Sequence, residues 1–256
     1  MSPGCPETDS VKPRYHASRR RGRNRGQPVR VSRPMSTASG AGTADHDSVV
    51  TPATEPHLLY HLTKRILDIV VAVTVLTVTS PIWIAAALAI VIESGRPILF
   101  RQERLGHLGR TFRCVKFRSM IPDAESRLTE AMRAAAVDGP EFKGKSDPRI
   151  TRLGRLLRAW SIDELPQFIN VLKGEMSVVG PRPIAQWEAE FQGHGWAWLS
   201  VKPGLTGSWQ ISGRSQTSWE RRMEIDVEYV RNRSLWRDVW IMIQTPWAII
   251  SRRGAV

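Results

Sequence analysis

From Ile69 to Ile92 the chain runs for 24 residues without a charged side chain. A straight helix of that length extends about 36 Å, more than the hydrocarbon core of about 30 Å in a bilayer. Ser80-Pro81 divides the run near its middle, and a proline there removes a helical hydrogen bond and crowds the preceding turn, so a bend is expected. Lys64 and Arg65 precede the run, and Arg96, Arg101, Arg104 and further basic residues follow it. Basic flanks favour the cytoplasmic side of a membrane. A helix that enters, bends at Ser80-Pro81 and leaves on the same side satisfies both flanks, with the Ser80 hydroxyl serving a carbonyl freed at the bend. A single span and a buried, kinked helix of a soluble core are the competing expectations.

Beyond the run, Ile98 to Leu105 and Thr111 to Arg118 alternate and are separated by Gly106-His-Leu-Gly109. That pattern predicts a β-hairpin with Lys116 and Arg118 on one side. Asp123 to Val137 is Ala-rich and stops before Gly139-Pro140, which predicts an exposed helix. In Arg152 to Trp160 the apolar positions Leu153, Leu156, Leu157 and Trp160 recur at helical spacing, so this basic amphipathic helix faces either a membrane surface or the core. Leu165, Phe168, Ile169 and Leu172, and later Trp219, Met223, Val227 and Val230, read as packing stripes. Val239 to Ile250 is apolar, too short to cross a bilayer, and expected to break at Pro246. Trp236, Trp240 and Trp247 place it at the lipid head-group level, with core packing as the alternative. The predicted fold is α+β and mostly helical: a re-entrant membrane helix and amphipathic interfacial helices around a small catalytic domain with a short hairpin.

Composition changes the picture at the N-terminus. Residues 1–57 are rich in Arg, Ser, Thr, Gly and Pro and lack a periodic apolar segment, so they are expected to be a disordered tail. Residues 58–95 are then the membrane-embedded helix and 96–256 the catalytic domain with its C-terminal interfacial segment. A formal charge of +13 and a pI near 10.7 call for anionic partners: nucleic acid, anionic lipid or phosphorylated small molecules. Cys5 and Cys114 form no ligand or disulfide spacing, which fits a reducing, cytosol-facing protein without a thiolate metal site.

The candidate chemistry lies between Asp147 and Pro183. Ser161-Ile-Asp-Glu164 matches a capping box, while Pro166 fits a helix that begins nearer Asp163, itself then the cap. In either register two carboxylates stand at a helix N-terminus. The neighbours point beyond capping. Phosphoryl transfer needs a nucleophile, cations around the phosphate oxygens and usually a divalent metal on carboxylate oxygen. Arg158 lies five residues before Asp163, and Gly180-Pro181-Arg182-Pro183 holds an arginine between two prolines that restrict the backbone. An arginine fixed in that way suits bidentate contact with phosphate.

An ordered series of motifs from about residue 60 to the C-terminus then resembles one family. It comprises Lys64-Arg65-Ile-Leu-Asp68, Ser80-Pro81, Phe100-Arg-Gln-Glu-Arg104, Lys116-Phe-Arg-Ser119, Ser161-Ile-Asp-Glu-Leu-Pro-Gln167, Asn170-Val-Leu-Lys-Gly174, Met176-Ser-Val-Val-Gly-Pro-Arg-Pro183, Val201-Lys-Pro-Gly-Leu-Thr-Gly207 and Ser212-Gly-Arg214. These resemble the bacterial sugar transferases, monotopic polyprenyl-phosphate hexose-1-phosphate transferases. The resemblance implies a re-entrant helix bent at Ser80-Pro81, a cytosol-facing catalytic domain at the bacterial cytoplasmic membrane, and an Asp163–Glu164 catalytic pair. Asp163 would attack the sugar-bearing phosphate of a nucleotide sugar, and polyprenyl phosphate would accept the phosphosugar. Glu164 would hold Mg²⁺, with Lys116, Arg118, Arg158, Arg182 and Arg214 neutralising phosphate charge. Larger relatives carry spanning helices and a regulatory region before the catalytic part, whereas this chain resembles a minimal catalytic unit with a polar extension. Gly207-Ser-Trp-Gln-Ile211 resembles the exopolysaccharide-priming members, which favours UDP-glucose or UDP-galactose as donor.

The expected partners are therefore a nucleotide sugar, polyprenyl phosphate and the lipid bilayer, and not nucleic acid; assembly of like chains is left open. Two other classes compete. The charge and the Arg-Gly pieces of the tail fit a nucleic-acid-binding protein, and a membrane scaffold of the same fold would use the carboxylates only as caps.

Overall fold

The computed structural model describes residues 58–124, 126–127, 147–185, 198–212 and 218–251. The expected tail, most of the expected helix at 123–137, and Arg214 lie outside these residues.

The apolar run forms two helices, α1 (Leu58–Val78) and α2 (Ser80–Ser94), which meet at Thr79 with a bend of 60°. Pro81 falls in the first turn of α2, where its missing N–H has no intrahelical acceptor to serve. The Ser80 hydroxyl donates to Thr77 O at 2.8 Å and the Thr79 hydroxyl to Val75 O at 2.7 Å. The Thr77 carbonyl, left without an N–H partner by Pro81, is thus satisfied by Ser80, as the sequence led us to expect, while Val75 O also accepts from Thr79 N–H at 2.9 Å. Among the described residues no single helix is long and apolar enough to cross a membrane, whereas α1 and α2 together are, by length and composition. Val70, Val73, Val78, Ile84, Leu88 and Ile92 all lie exposed along the pair.

The N-terminal half of α1 is fastened to the rest of the chain by polar contacts. The buried Asp68 carboxylate accepts from Ser177 Oγ at 3.0 Å and from the Val178 N–H at 2.9 Å. Lys64 donates to Asp238 at 2.9 Å and to Val179 O at 3.1 Å. Arg65 reaches Val171 O and Leu172 O at 2.6 and 2.8 Å, which places a cation on the carbonyl end of a helix.

Strands β1 (Leu99–Leu105) and β2 (Thr111–Phe117) form the expected hairpin, antiparallel with Leu99 opposite Phe117 and Leu105 opposite Thr111. There follow α3 (Arg152–Ala159), a 3-10 turn at Ile162–Glu164, α4 (Gln167–Lys173), β3 (Ser177–Val179), β4 (Gly204–Thr206), α5 (Ser208–Ile211), α6 (Trp219–Arg231) and α7 (Leu235–Ile250). β3 and β4 pair in parallel, an element that three-residue strands do not announce in a sequence.

The main core gathers Ala72 of α1, Phe112 and Cys114 of β2, Phe168 and Val171 of α4, Val178 of β3, Tyr229 of α6 and Ile241 of α7. Burying each large apolar side chain stabilises by roughly 1.5–3 kcal/mol. A second cluster joins Ala86 and Ile90 of α2 to Phe117 and Leu157. Leu157 and Leu153 of α3 pack there, but Leu156 is 54% and Trp160 39% exposed, so the helix divides its apolar face between the core and the outside.

The expected break at Pro246 does not occur: α7 runs unbroken from Leu235 to Ile250. Ser234 caps its start by accepting from the Arg237 N–H at 3.2 Å, and the Thr245 hydroxyl donates to Ile241 O at 2.7 Å within the turn before the proline. At 16 residues it remains too short to cross a bilayer. Trp236, Trp240 and Trp247 are 79%, 53% and 68% exposed, while Ile241 and Asp238 face inward.

Candidate functional site

The capping expectation for Ser161 fails first. Its backbone is left-handed, with φ 56° and ψ 21°, and its hydroxyl makes no cap. Pro166 instead stands at the start of α4, so the dyad is set in a separate turn between α3 and α4. Ser161 N–H returns to Arg158 O at 3.1 Å, and Glu164 N–H to Ser161 O at 3.2 Å. A non-glycine residue held in this region costs on the order of 1–3 kcal/mol. That conformation reverses the chain so that Arg158 and the dyad stand together.

Glu164 Oε1 accepts from Lys116 Nζ at 2.8 Å and from Arg182 at 3.1 Å. Asp163 is buried, and Lys116, Arg158 and Arg182 act on it electrostatically without a hydrogen bond to its carboxylate among the described residues. Burial, then the adjacent Glu164 charge, pushes the Asp163 carboxyl above its ordinary value against the three cations. Glu164 moves the other way: burial alone would raise it, but the charges and hydrogen bonds of Lys116 and Arg182 hold it well below the usual carboxylate range. Two adjacent acids are thereby differentiated, Glu164 held ionised and Asp163 the more basic of the two.

Each cation is aimed by backbone packing. Lys116 projects from β2, which Asn170 clamps to α4. The Asn170 side chain accepts from Val115 N–H at 3.0 Å and donates to Arg113 O at 2.8 Å and to Glu175 at 2.7 Å. Arg158 donates from Nε to Ser119 Oγ at 2.9 Å, which requires α3 to lie close against the end of β2. Gly154 permits this: a Cβ there would overlap Ser119 O and lie 2.8 Å from its carbonyl carbon. Arg182 is held by its turn, with Gly180 N–H on Thr206 O at 2.9 Å, Gly204 N–H on Pro181 O at 2.7 Å and Leu105 N–H on Ile184 O at 2.9 Å. The approach of β4 again depends on glycine, since a Cβ on Gly180 would stand 2.6 Å from Lys202 O.

The structure therefore brings Asp163, Glu164, Lys116, Arg158 and Arg182 together, with Pro181 and Pro183 flanking the last. Arg118 is engaged elsewhere. Its N–H pairs with Ile98 O at 2.9 Å, and its guanidinium donates to Ser94 O at 2.7 Å, Ser94 Oγ at 2.9 Å and Gly95 O, closing the C-terminus of α2. Asp147 and Arg149 showed no role in the sequence pattern. Arg149 grips Asp147 at 2.9 and 2.7 Å and reaches Ala124 O at 3.1 Å, and the Asp147 charge acts on Arg158. A carboxylate and an arginine two residues apart beside a proline was the available signal.

Two adjacent carboxylates under three cations have the charge pattern that suits phosphate chemistry. Residues 59–252 match the model of the bacterial sugar transferases, and the chain belongs to that family. It is 43% identical over 197 residues to a UDP-galactose-lipid carrier transferase of Erwinia amylovora, covering 75% of this chain and 41% of that relative. It is 38% identical over 199 residues to the exopolysaccharide production protein ExoY of Sinorhizobium fredii, covering 76% of this chain and 88% of that relative. A UDP-glucose:undecaprenyl-phosphate glucose-1-phosphate transferase of Caulobacter vibrioides is 36% identical over 254 residues, with 88% and 87% covered. The chain thus spans about two fifths of the length of the first relative and nearly nine tenths of the other two.

Proposed function

We propose that this protein transfers a hexose-1-phosphate from a nucleotide sugar to polyprenyl phosphate. The observation that carries the proposal is the unequal carboxylate pair, with Glu164 tied to Lys116 and Arg182 and Asp163 left without a hydrogen bond among the described residues. In this reading an Asp163 oxygen attacks the sugar-bearing phosphorus. The bond from that phosphorus to the bridging oxygen breaks, and nucleoside monophosphate departs with the electron pair. A phosphate oxygen of the polyprenyl acceptor then attacks the same phosphorus, the acyl phosphate bond breaks, and the Asp163 carboxylate is restored. Lys116, Arg158 and Arg182 offset charge on the diphosphate as the leaving oxygen develops it. The relatives' names support a lipid-phosphate acceptor and a UDP-hexose donor, glucose or galactose.

The donor set fits Mg²⁺. Glu164 uses Oε1 for its two cations, and its carboxylate is a hard oxygen donor of the kind the ion takes. Mg²⁺ is commonly held by one or two carboxylates together with substrate phosphates, so a cluster of three acidic side chains is not required. Glu164 would hold the ion, which when bound neutralises diphosphate charge.

The bent α1–α2 pair is read as a re-entrant hairpin in the cytoplasmic membrane with the catalytic domain on the cytosolic side. Its exposed apolar surface, the basic residues at both ends and the exposed tryptophans of α7 support this. Nucleoside monophosphate release tests the function: purified protein in detergent with Mg²⁺, polyprenyl phosphate and UDP-glucose or UDP-galactose turns over, and folded Asp163→Asn does not. No turnover by folded wild type across a panel of nucleotide sugars would leave the scaffold reading in its place.

A further inference from the structure

Helix α6 carries a carboxyl group that the site described above does not use. Asp226 is 1% exposed, and neither of its oxygens closes a hydrogen bond among the described residues. Burial pushes this carboxyl well above its ordinary range, with the N–H and charge of Arg182 acting against the shift. A carboxyl placed so deep is costly when ionised and exacting even when neutral.

What it faces is the turn that presents Arg182. The backbone N–H and the charge of Arg182 both act on Asp226, although the N–H closes no hydrogen bond with it, and because Pro181 and Pro183 have no N–H, that amide is the only backbone donor of the triplet. The guanidinium of the same residue contacts Glu164 at 3.1 Å and lies 6.0 Å from the centroid of the buried Trp209 ring. Arg222, one turn before Asp226 on α6, approaches that ring at 5.2 Å. One helix thus backs both the turn and the ring against which Arg182 rests.

We propose that Asp226 is a positioning residue that fixes the Pro181-Arg182-Pro183 turn so that Arg182 points at the diphosphate of the donor. The proposal rests on the reading of Arg182 as a phosphate ligand. Asp226 touches no substrate. It holds the backbone in place while the guanidinium exchanges its contact with Glu164 for phosphate oxygens, so its loss is felt in donor binding more than in the chemical step.

A double-mutant cycle tests this, with KM and kcat measured for UDP-glucose and UDP-galactose and folding followed by thermal denaturation. Asp226→Asn keeps an oxygen acceptor and stays within about threefold of wild type, whereas Asp226→Leu, with the same branching of heavy atoms but bulkier and without an acceptor, raises the donor KM about tenfold with a smaller change in kcat. In an Arg182→Ala background Asp226→Leu adds no further loss. If the leucine variant does not fold, Asp226→Ala takes its place in the cycle. An unchanged KM in the folded acceptor-less variant, or a loss that multiplies in full with Arg182→Ala, overturns the proposal and leaves the Arg182 assignment standing. If Arg182→Ala alone leaves donor KM and kcat at wild-type values, the assignment of Arg182 fails, and the role of Asp226 with it.

Discussion

Gly154→Ala sets two effects of opposite sign against each other. In the interior of an exposed helix the change stabilises by about 1 kcal/mol, because alanine is the better helix former. In α3 the added Cβ overlaps Ser119 O and lies 2.8 Å from its carbonyl carbon and 2.9 Å from Thr151 Oγ1. Two of these atoms are backbone, and Ser119 O also accepts from Thr151 N–H at 3.2 Å, so no flexible side-chain tip can move aside. Ordinary contact requires α3 to withdraw by on the order of 1 Å. Overpacking of this kind costs about 1–3 kcal/mol, and an overlap with backbone atoms falls in the upper part of that range, about 2–3 kcal/mol. Less the propensity gain, the net loss of about 1–2 kcal/mol lowers Tm by roughly 2–8 °C for a chain of this size. The functional effect is larger, because the same withdrawal carries Arg158 away from Ser119 and from Asp163, and a misplacement of about 1 Å costs about a hundredfold in rate. Nucleoside monophosphate release and thermal denaturation of Gly154→Ala, with the exposed Arg155→Ala as control, read both quantities. Wild-type turnover and Tm in Gly154→Ala would refute the claim that the contact between α3 and β2 aims Arg158.

Asn170→Leu removes hydrogen bonds to Val115, Arg113 and Glu175 and leaves an N–H and a carbonyl of β2 unpaired; urea denaturation should show a loss of about 3 kcal/mol, and a change under 1 kcal/mol would contradict the clamp. Lys116→Met removes a charge that lowers the Asp163 carboxyl, so the acidic limb of the kcat/KM–pH profile moves to higher pH; a limb that stays in place counts against Asp163 as the ionised nucleophile. Glu164, held well below its usual range, contributes stability that is fully present above its unfolded value near about 4.3 and is lost as pH falls through the folded value. The Tm advantage of wild type over Glu164→Gln should therefore narrow below about pH 4, and an advantage that grows on acidification has the wrong sign. Cysteines replacing Glu55 and Gln102 should be equally protected from an impermeant thiol reagent outside intact cells, whereas opposite accessibility would show a spanning helix.

The elements legible in the sequence were those with length or period. A 24-residue apolar run with a proline near its middle and two alternating segments around Gly106 to Gly109 became the bent pair and the hairpin, because the hydrophobic pattern fixes which face is buried. The dyad and its cations were legible as residues but not in every role. Alternation placed Arg118 beside Lys116, yet β2 ends at Phe117, so Arg118 leaves the pleat and closes α2. Ser161 matched a capping box by spacing, but Pro166 sets the start of α4 and frees Ser161 to reverse the chain. Asp226 was hidden inside an apolar stripe: it shares the helical spacing of Met223 and Val230, and a single acid at such a position shows no purpose until the turn it faces is known. The pairing of β3 with β4 depends on contacts some 27 residues apart in the register Ser177 to Gly204, which no local pattern encodes.

The central claim is that Asp163 carries the phosphosugar. Wild-type protein incubated with UDP-glucose or UDP-galactose and Mg²⁺ in the absence of acceptor, quenched in acid and measured by intact mass and peptide mapping, tests it most directly. The account predicts a hexose-phosphate adduct on the peptide containing Asp163, absent from folded Asp163→Asn and discharged by polyprenyl phosphate. Turnover with acceptor that proceeds equally well in Asp163→Asn, or an adduct on another residue, would contradict it.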